Sequence, residues 1–197
     1  MNTRQHILDA TERIIQTKGF ARVTTREIAR EAGCAEGTLY KHFASKEDLF
    51  LAVIQQNLPN VIETVREDRV GTRTISANLE EIALAVINYY EQLIPMTVSF
   101  FADTELLARH RAWMHEQGTG PQRLHERVAG YIAAEQYIGR LNEAVNPLNI
   151  AILLLGSCFQ YAFNRYFMGE NPFEMTDQQF VTGLVQTLTE GISPREQ

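Results

Sequence analysis

Apolar residues recur along this chain at helical spacing, and polar and apolar positions nowhere alternate for long enough to make a strand. Ile7, Ala10 and Ile14 fall on one face of a first helix, and Gly19 stands where a left-handed residue would stop it. Thr24-Thr25-Arg26-Glu27 reads as a capping box, in which a threonine hydroxyl and a glutamate each satisfy a backbone N–H at the helix start. Ile28, Ala29 and Ala32 give this second helix a short apolar face, and Gly33 ends it. Only Cys34 and Ala35 then precede a third short helix, Glu36 to Phe43, with Leu39 and Phe43 one turn apart. Ser45 caps a fourth, with Glu47 and Asp48 in the first turn, where the helix dipole favours acids. Two short helices joined by a tight glycine turn and braced by longer ones predict a helix-turn-helix.

The pattern beyond Leu51 is helical throughout. Pro59 is expected to kink or break the fourth helix. Arg69 to Ile75 reads as a loop around Gly71, and Leu79, Ile82, Ala83, Val86, Tyr90 and Leu93 predict an amphipathic helix stopping near Pro95. Met96 to Gln117 holds one or two further helices, and Pro121 opens the next, with Leu124, Val128, Tyr131 and Ile132 on one side. Asn146-Pro147 caps a long helix whose stretch from Ile150 to Leu155 is apolar on every side, which calls for burial on every side. Thr176 to Gln179 is a second capping box, followed by Val181, Leu184, Val185, Leu188 and Ile192 at helical spacing. The expected fold class is all-α: a three-helix, homeodomain-like helix-turn-helix domain over residues 1–50 and a helical domain over 51–197.

Net charge by itself argues against a nucleic-acid partner, since 18 Lys+Arg face 24 Asp+Glu for a net of -6. Its distribution changes the picture. Residues 1–50 carry 8 of those basic and 7 of those acidic groups, and all three lysines, Lys18, Lys41 and Lys46, lie there. A neutral-to-basic module on an acidic body can still approach a phosphate backbone. The two cysteines, Cys34 and Cys158, form no C-x-x-C pair, and no apolar run approaches the ~20 residues of a membrane span, so a cytoplasmic protein without disulfides is expected. Catalytic chemistry finds no support: there is no glycine-rich phosphate loop or nucleophile elbow, and His110 and His115 miss the spacing of two metal ligands on one helix face. Neither an enzyme, a metal site nor a cofactor is expected.

The runs Thr24 to Ala29, Ala32-Gly33, Gly37-Thr38-Leu39-Tyr40-Lys41-His42-Phe43 and Ser45 to Leu49, with Gly19-Phe20 upstream, resemble the DNA-binding signature of the tetracycline-repressor (TetR) family. Two positions depart from it: Cys34 stands where valine is common, and Ala35 stands where serine often caps the recognition helix, at a loss of ~1 kcal/mol. The resemblance implies a repressor that binds a palindromic double-stranded DNA operator as a homodimer and is released by a small, mainly apolar effector. It places Arg26, Glu36, Gly37 and Thr38 against base edges, and Thr25, Tyr40, Lys41, His42 and Lys46 against phosphates. Glu36 equally suits a helix first turn as an acid alone, and Arg26 suits either a phosphate or a guanine.

In the body, Tyr89, Tyr90, Met96, Phe100, Phe101, Trp113, Met114, Phe159 and Phe163 are the candidate lining of an effector pocket, though for any one of them plain core packing fits as well. Leu153, Gly156, Val181, Leu184 and Leu188 on the last two helices are the candidate homodimer seam, the place where that family joins its subunits. The competing function is a helical ligand-binding or adaptor protein without DNA affinity, which would leave the N-terminal motif unused.

Overall fold

In the computed structural model, which describes residues 2–19, 22–102, 104–116, 118 and 120–191, all regular structure among the described residues is helical. The helices are α1 (Thr3–Lys18), α2 (Thr25–Glu31), α3 (Glu36–His42), α4 (Lys46–Thr64), α5 (Ile75–Ala102), α6 (Thr104–Glu116), α7 (Gln122–Tyr137), α8 (Pro147–Met168) and α9 (Asp177–Glu190), with one 3₁₀ turn at Glu67–Arg69. Phe20 and Ile192 lie outside the described residues.

The capping signals act where they were read. Thr24 and Glu27 close the box at the start of α2, Asn146 accepts from the backbone of Leu148 and Asn149 at α8, and Thr176 with Gln179 forms the box at α9. Pro121 sits one position earlier than expected, as the cap of α7 and not its first residue.

Pro95 is a correction, and Pro59 does not break its helix. α4 runs from Lys46 through Pro59 to Thr64, and α5 runs through Pro95 to Ala102. A proline removes one backbone bond and costs a helix roughly 3 kcal/mol. Burial of neighbouring residues outweighs that cost: Leu51 to Ile54 before Pro59 and Val61 after it in α4, and Val86, Ile87 and Ile94 ahead of Pro95 in α5. Just past Pro95, the Thr97 hydroxyl donates to the Leu93 carbonyl at 3.0 Å.

Contacts divide the chain into two compact units, Met1–Pro59 with Gln92–Gly118 and Asn60–Glu91 with Thr119–Gln197. The first unit holds a continuous apolar cluster in which Ile7 and Ile15 of α1, Ile28 of α2, Leu39 of α3 and Leu49, Phe50 and Val53 of α4 are buried together. Leu93 and Leu107 pack against that cluster, so α6 joins the unit that carries the helix-turn-helix.

The second unit is organised by α7 against α8, with α9 along α8. Val128 and Ile132 of α7, Leu154, Leu155 and Cys158 of α8 and Val181 and Val185 of α9 are buried. Glu135, also fully buried, accepts from the Gly71 backbone and pairs with Arg140 at 3.1 Å, which offsets the cost of an interior carboxylate. Within the single chain Ala151, Leu154 and Leu155 of α8 face inward, while Ile152 and Leu153 face out, Leu153 at 57% exposure, the part of its burial expected from a second subunit.

Candidate nucleic-acid interface

The turn between α2 and α3 sets the whole site. Gly33 adopts φ +67° just after the Ala32 cap, its N–H bonding the Arg30 carbonyl at 3.2 Å, while the Cys34 N–H bonds the Ala29 carbonyl at 2.9 Å. This paired bonding is a Schellman stop, and a side chain at Gly33 would be strained there. α3 then starts at Glu36 behind Ala35, whose side chain makes no capping bond.

α2 is anchored at its other end. The Glu27 carboxylate accepts from the Lys18 ammonium of α1 at 2.9 Å and from the Thr24 backbone at 3.0 Å. Those bonds, Lys18 first and Thr24 after it, hold its pKa down at about 2.

On the outer side of α2 and α3 the structure gathers the expected base readers. Arg26 and Gly37 are exposed, and Glu36 and Thr38 are half-buried. A methyl group added at Gly37 would meet nothing in the chain within 4 Å. Neither packing nor a positive φ therefore demands glycine at this helical position. Glu36 has a partner within the chain, because the Thr25 hydroxyl donates to its Oε1 at 2.6 Å and lies 3.3 Å from the Tyr40 hydroxyl.

The expected phosphate set surrounds this patch. Tyr40 is 49% exposed, Lys41 and His42 are exposed on the last turn of α3, and Lys46 opens α4. Partial burial lowers the pKa of Lys46, against the pull of Glu47 and Glu27. Ser45 caps α4 by accepting from the Asp48 backbone at 3.0 Å. One participant had no sequence signal: Arg109 of α6 reaches Ser45, Glu47 and Asp48.

The remaining candidates separate. Tyr89, Tyr90, Phe159 and Phe163 form one aromatic series in the second unit, Tyr90 edge-on to Phe159 at 5.3 Å and Phe159 stacked on Phe163 at 6.0 Å. Phe159 and Phe163 carry that series to the surface, 44% and 38% exposed, where Phe167 stacks on Phe163 at 5.9 Å. Trp113, stacked on His110, and Met114 are half-buried on α6 in the first unit. The side chains of Met96, Phe100 and Phe101 lie outside the described residues.

Of the seam residues, Leu153 and Gly156 are exposed, Leu184 and Leu188 are half-buried, and Val181 is a correction. Val181 is 0% exposed, because the face of α9 it shares with Val185 is buried inside the chain. Among the described residues no helix is long and apolar enough to cross a membrane.

Comparison with known proteins places this geometry. Residues 7–53 match the family model of the bacterial regulatory proteins, tetR family. The chain is 30% identical over 87 residues to the fatty acid metabolism regulator protein of Bacillus subtilis (strain 168), a match spanning 44% of this chain and only 43% of that protein. The fold is similar to the fatty acid degradation regulator FadR from Bacillus halodurans, with TM-score 0.75 and 16% identity over 99% of this chain and 98% of that one. It is likewise similar to the transcriptional regulator FadR from Bacillus subtilis in complex with stearoyl-CoA, with TM-score 0.69 and 20% identity over 96% and 99% of the two chains. The two short helices at residues 25–42 lie within the stretch that matches the tetR family model, and the fold of the whole chain is similar to that of these regulators.

Proposed function

We propose that the protein regulates transcription in the cytoplasm by binding a palindromic double-stranded DNA operator as a homodimer and releasing it when a small, mainly apolar molecule is bound. The observation that supports this reading is the Gly33 turn, which starts α3 directly after α2, with Arg26, Gly37, Tyr40, Lys41 and His42 exposed and Thr25 hydrogen-bonded to Glu36 across the turn. In a helix-turn-helix the start of the second helix meets base edges in the major groove while its flanks grip phosphates. Two such heads about 34 Å apart match one turn of the duplex, which is why a homodimer is needed.

The surface of α8 and α9 favours that dimer. Leu153 is exposed, and Gly156 and Gly183 have open space where a side chain would be. A cleft of about 530 Å³ lies between Gln160 and Tyr161 of α8 and Phe180 and Leu184 of α9. Leu153, Gly156, Leu184 and Leu188 are the seam on this reading.

The aromatic series of Tyr89, Tyr90, Phe159 and Phe163 in the second unit is the effector site on this reading. The names of the similar regulators, one of fatty acid metabolism and one in complex with stearoyl-CoA, favour a long acyl chain as the effector.

Selection of duplexes from random DNA by the pure protein tests the reading. The expected product is a two-fold symmetric site released by stearoyl-CoA or another lipophilic compound. Retention of no duplex at low salt would instead favour a ligand-binding or adaptor protein.

A further inference from the structure

Arg109 reaches the same short turn of α4 from α6 in three ways. Its guanidinium donates to Asp48 Oδ1 at 2.9 Å and to Ser45 Oγ at 3.3 Å, and it lies 3.5 Å from Glu47 Oε2. Ser45 is the cap of α4, so the arginine holds the cap and both acids of the first turn. Between Ser45 and Glu47 stands Lys46, the candidate phosphate contact. α6 is fastened nearby through Leu107, which packs on the core of the helix-turn-helix unit.

These three groups are each about one-third to two-fifths exposed, so as a surface ion pair the cluster contributes little to stability. Its electrostatic effect on an approaching polyanion is larger. Without Arg109, two carboxylates would sit uncompensated beside the lysine that must meet a phosphate, and the cap that aims that lysine would lose a partner.

We propose that Arg109 is a positioning residue for DNA binding, a clamp from α6 that holds the first turn of α4 and cancels its acids so that Lys46 can engage a phosphate. The proposal rests on the DNA-binding reading above and deepens it by naming a residue outside the helix-turn-helix.

The test compares wild type, Arg109→Gln, Arg109→Lys and Arg109→Gln/Asp48→Asn on a duplex selected by the wild-type protein, by fluorescence anisotropy over a range of salt. Arg109→Gln is expected to weaken binding about tenfold at low salt on every sequence, with the deficit shrinking as salt screens the exposed acids. Arg109→Lys, which keeps the charge, and the double variant, which removes one acid with its partner, should each recover most of the loss. Amide exchange at Lys46 to Leu49 should quicken in Arg109→Gln with the melting temperature nearly unchanged, a local signature that general unfolding would not produce. Affinity and exchange equal to wild type would overturn the proposal, as would faster exchange without loss of affinity or a loss that Arg109→Lys and the double variant fail to rescue. A wild-type protein that selects no duplex would instead overturn the DNA-binding reading itself.

Discussion

The Thr25 hydroxyl donates a 2.6 Å hydrogen bond to the Glu36 carboxylate, so the first residue of α2 and the first residue of α3 are tied to each other without any DNA. A charge-assisted bond of this kind holds the two helix starts in register and aims the carboxylate at its neighbour. The bond occupies Oε1, so a base would be met by a carboxylate already oriented by Thr25. Glu36→Gln keeps the shape but adds donors, so it should alter preference at one position per half-site while changing stability by less than about 0.5 kcal/mol. Selection profiles of the two proteins check this; identical profiles would leave Glu36 as a structural tie alone.

Gly37 offers a trade between stability and binding. Nothing in the chain approaches its missing side chain, and alanine is the better helix former. Gly37→Ala should therefore stabilise the protein by about 0.4–1 kcal/mol. If the glycine lets the backbone close on DNA, the same change should weaken operator binding by roughly tenfold. Urea titration and anisotropy give the two signs; a stabilised variant with full affinity would remove Gly37 from the interface.

Lys46 and Thr38 should fail in different ways. Lys46→Ala removes one phosphate contact, so binding should weaken alike on all sequences and the slope of log affinity against log salt should flatten by about 1. Thr38→Ala should relax preference at one position, with a cost of about 1–3 kcal/mol on the best sequence only. An equal loss on every sequence for Thr38→Ala would reassign it to the backbone.

Leu153 and Val181 test the seam from opposite sides. Leu153 already meets solvent, so Leu153→Glu should fold with full helix content, run as a monomer by light scattering and lose operator affinity. Val181 is enclosed, so Val181→Ala should instead destabilise the chain by about 1–3 kcal/mol without separating subunits, and Val181→Glu should unfold it. A dimeric Leu153→Glu protein would move the interface elsewhere.

The Glu27 tie should appear in the acid limb of stability. Its folded pKa of about 2 lies below the ordinary glutamate value of 4.5, chiefly because of Lys18 and then Thr24. A depressed carboxylate contributes stability that is fully present above the unfolded value and is lost as pH falls from about 4.5 towards 2. Glu27→Gln should melt below wild type at pH 7, with the gap closing through that window. A gap independent of pH would point to lost packing and not to the charge.

What the sequence determined by itself is what residues within a few positions of each other decide. Thr24 with Glu27, Asn146 ahead of Pro147 and Thr176 with Gln179 are caps made within one turn, and Gly33 is a stop set by its own backbone freedom. Such bonds need no distant partner, so the helix-turn-helix and most helix ends were legible before any packing was known.

Tertiary structure decided the rest. Pro59 and Pro95 do not stop their helices, because burial of residues on both sides of Pro59, and of those leading up to Pro95, exceeds the cost of one missing bond. Val181 and Leu184 share an apolar stripe in sequence, yet one is enclosed and the other half open, since periodicity marks a face without saying how far a neighbouring helix covers it. Arg109 lies 61 positions from Asp48, and Glu36 lies 11 from Thr25. No local rule pairs residues at such distances; only the packed chain brings their charges and hydroxyls within hydrogen-bond reach.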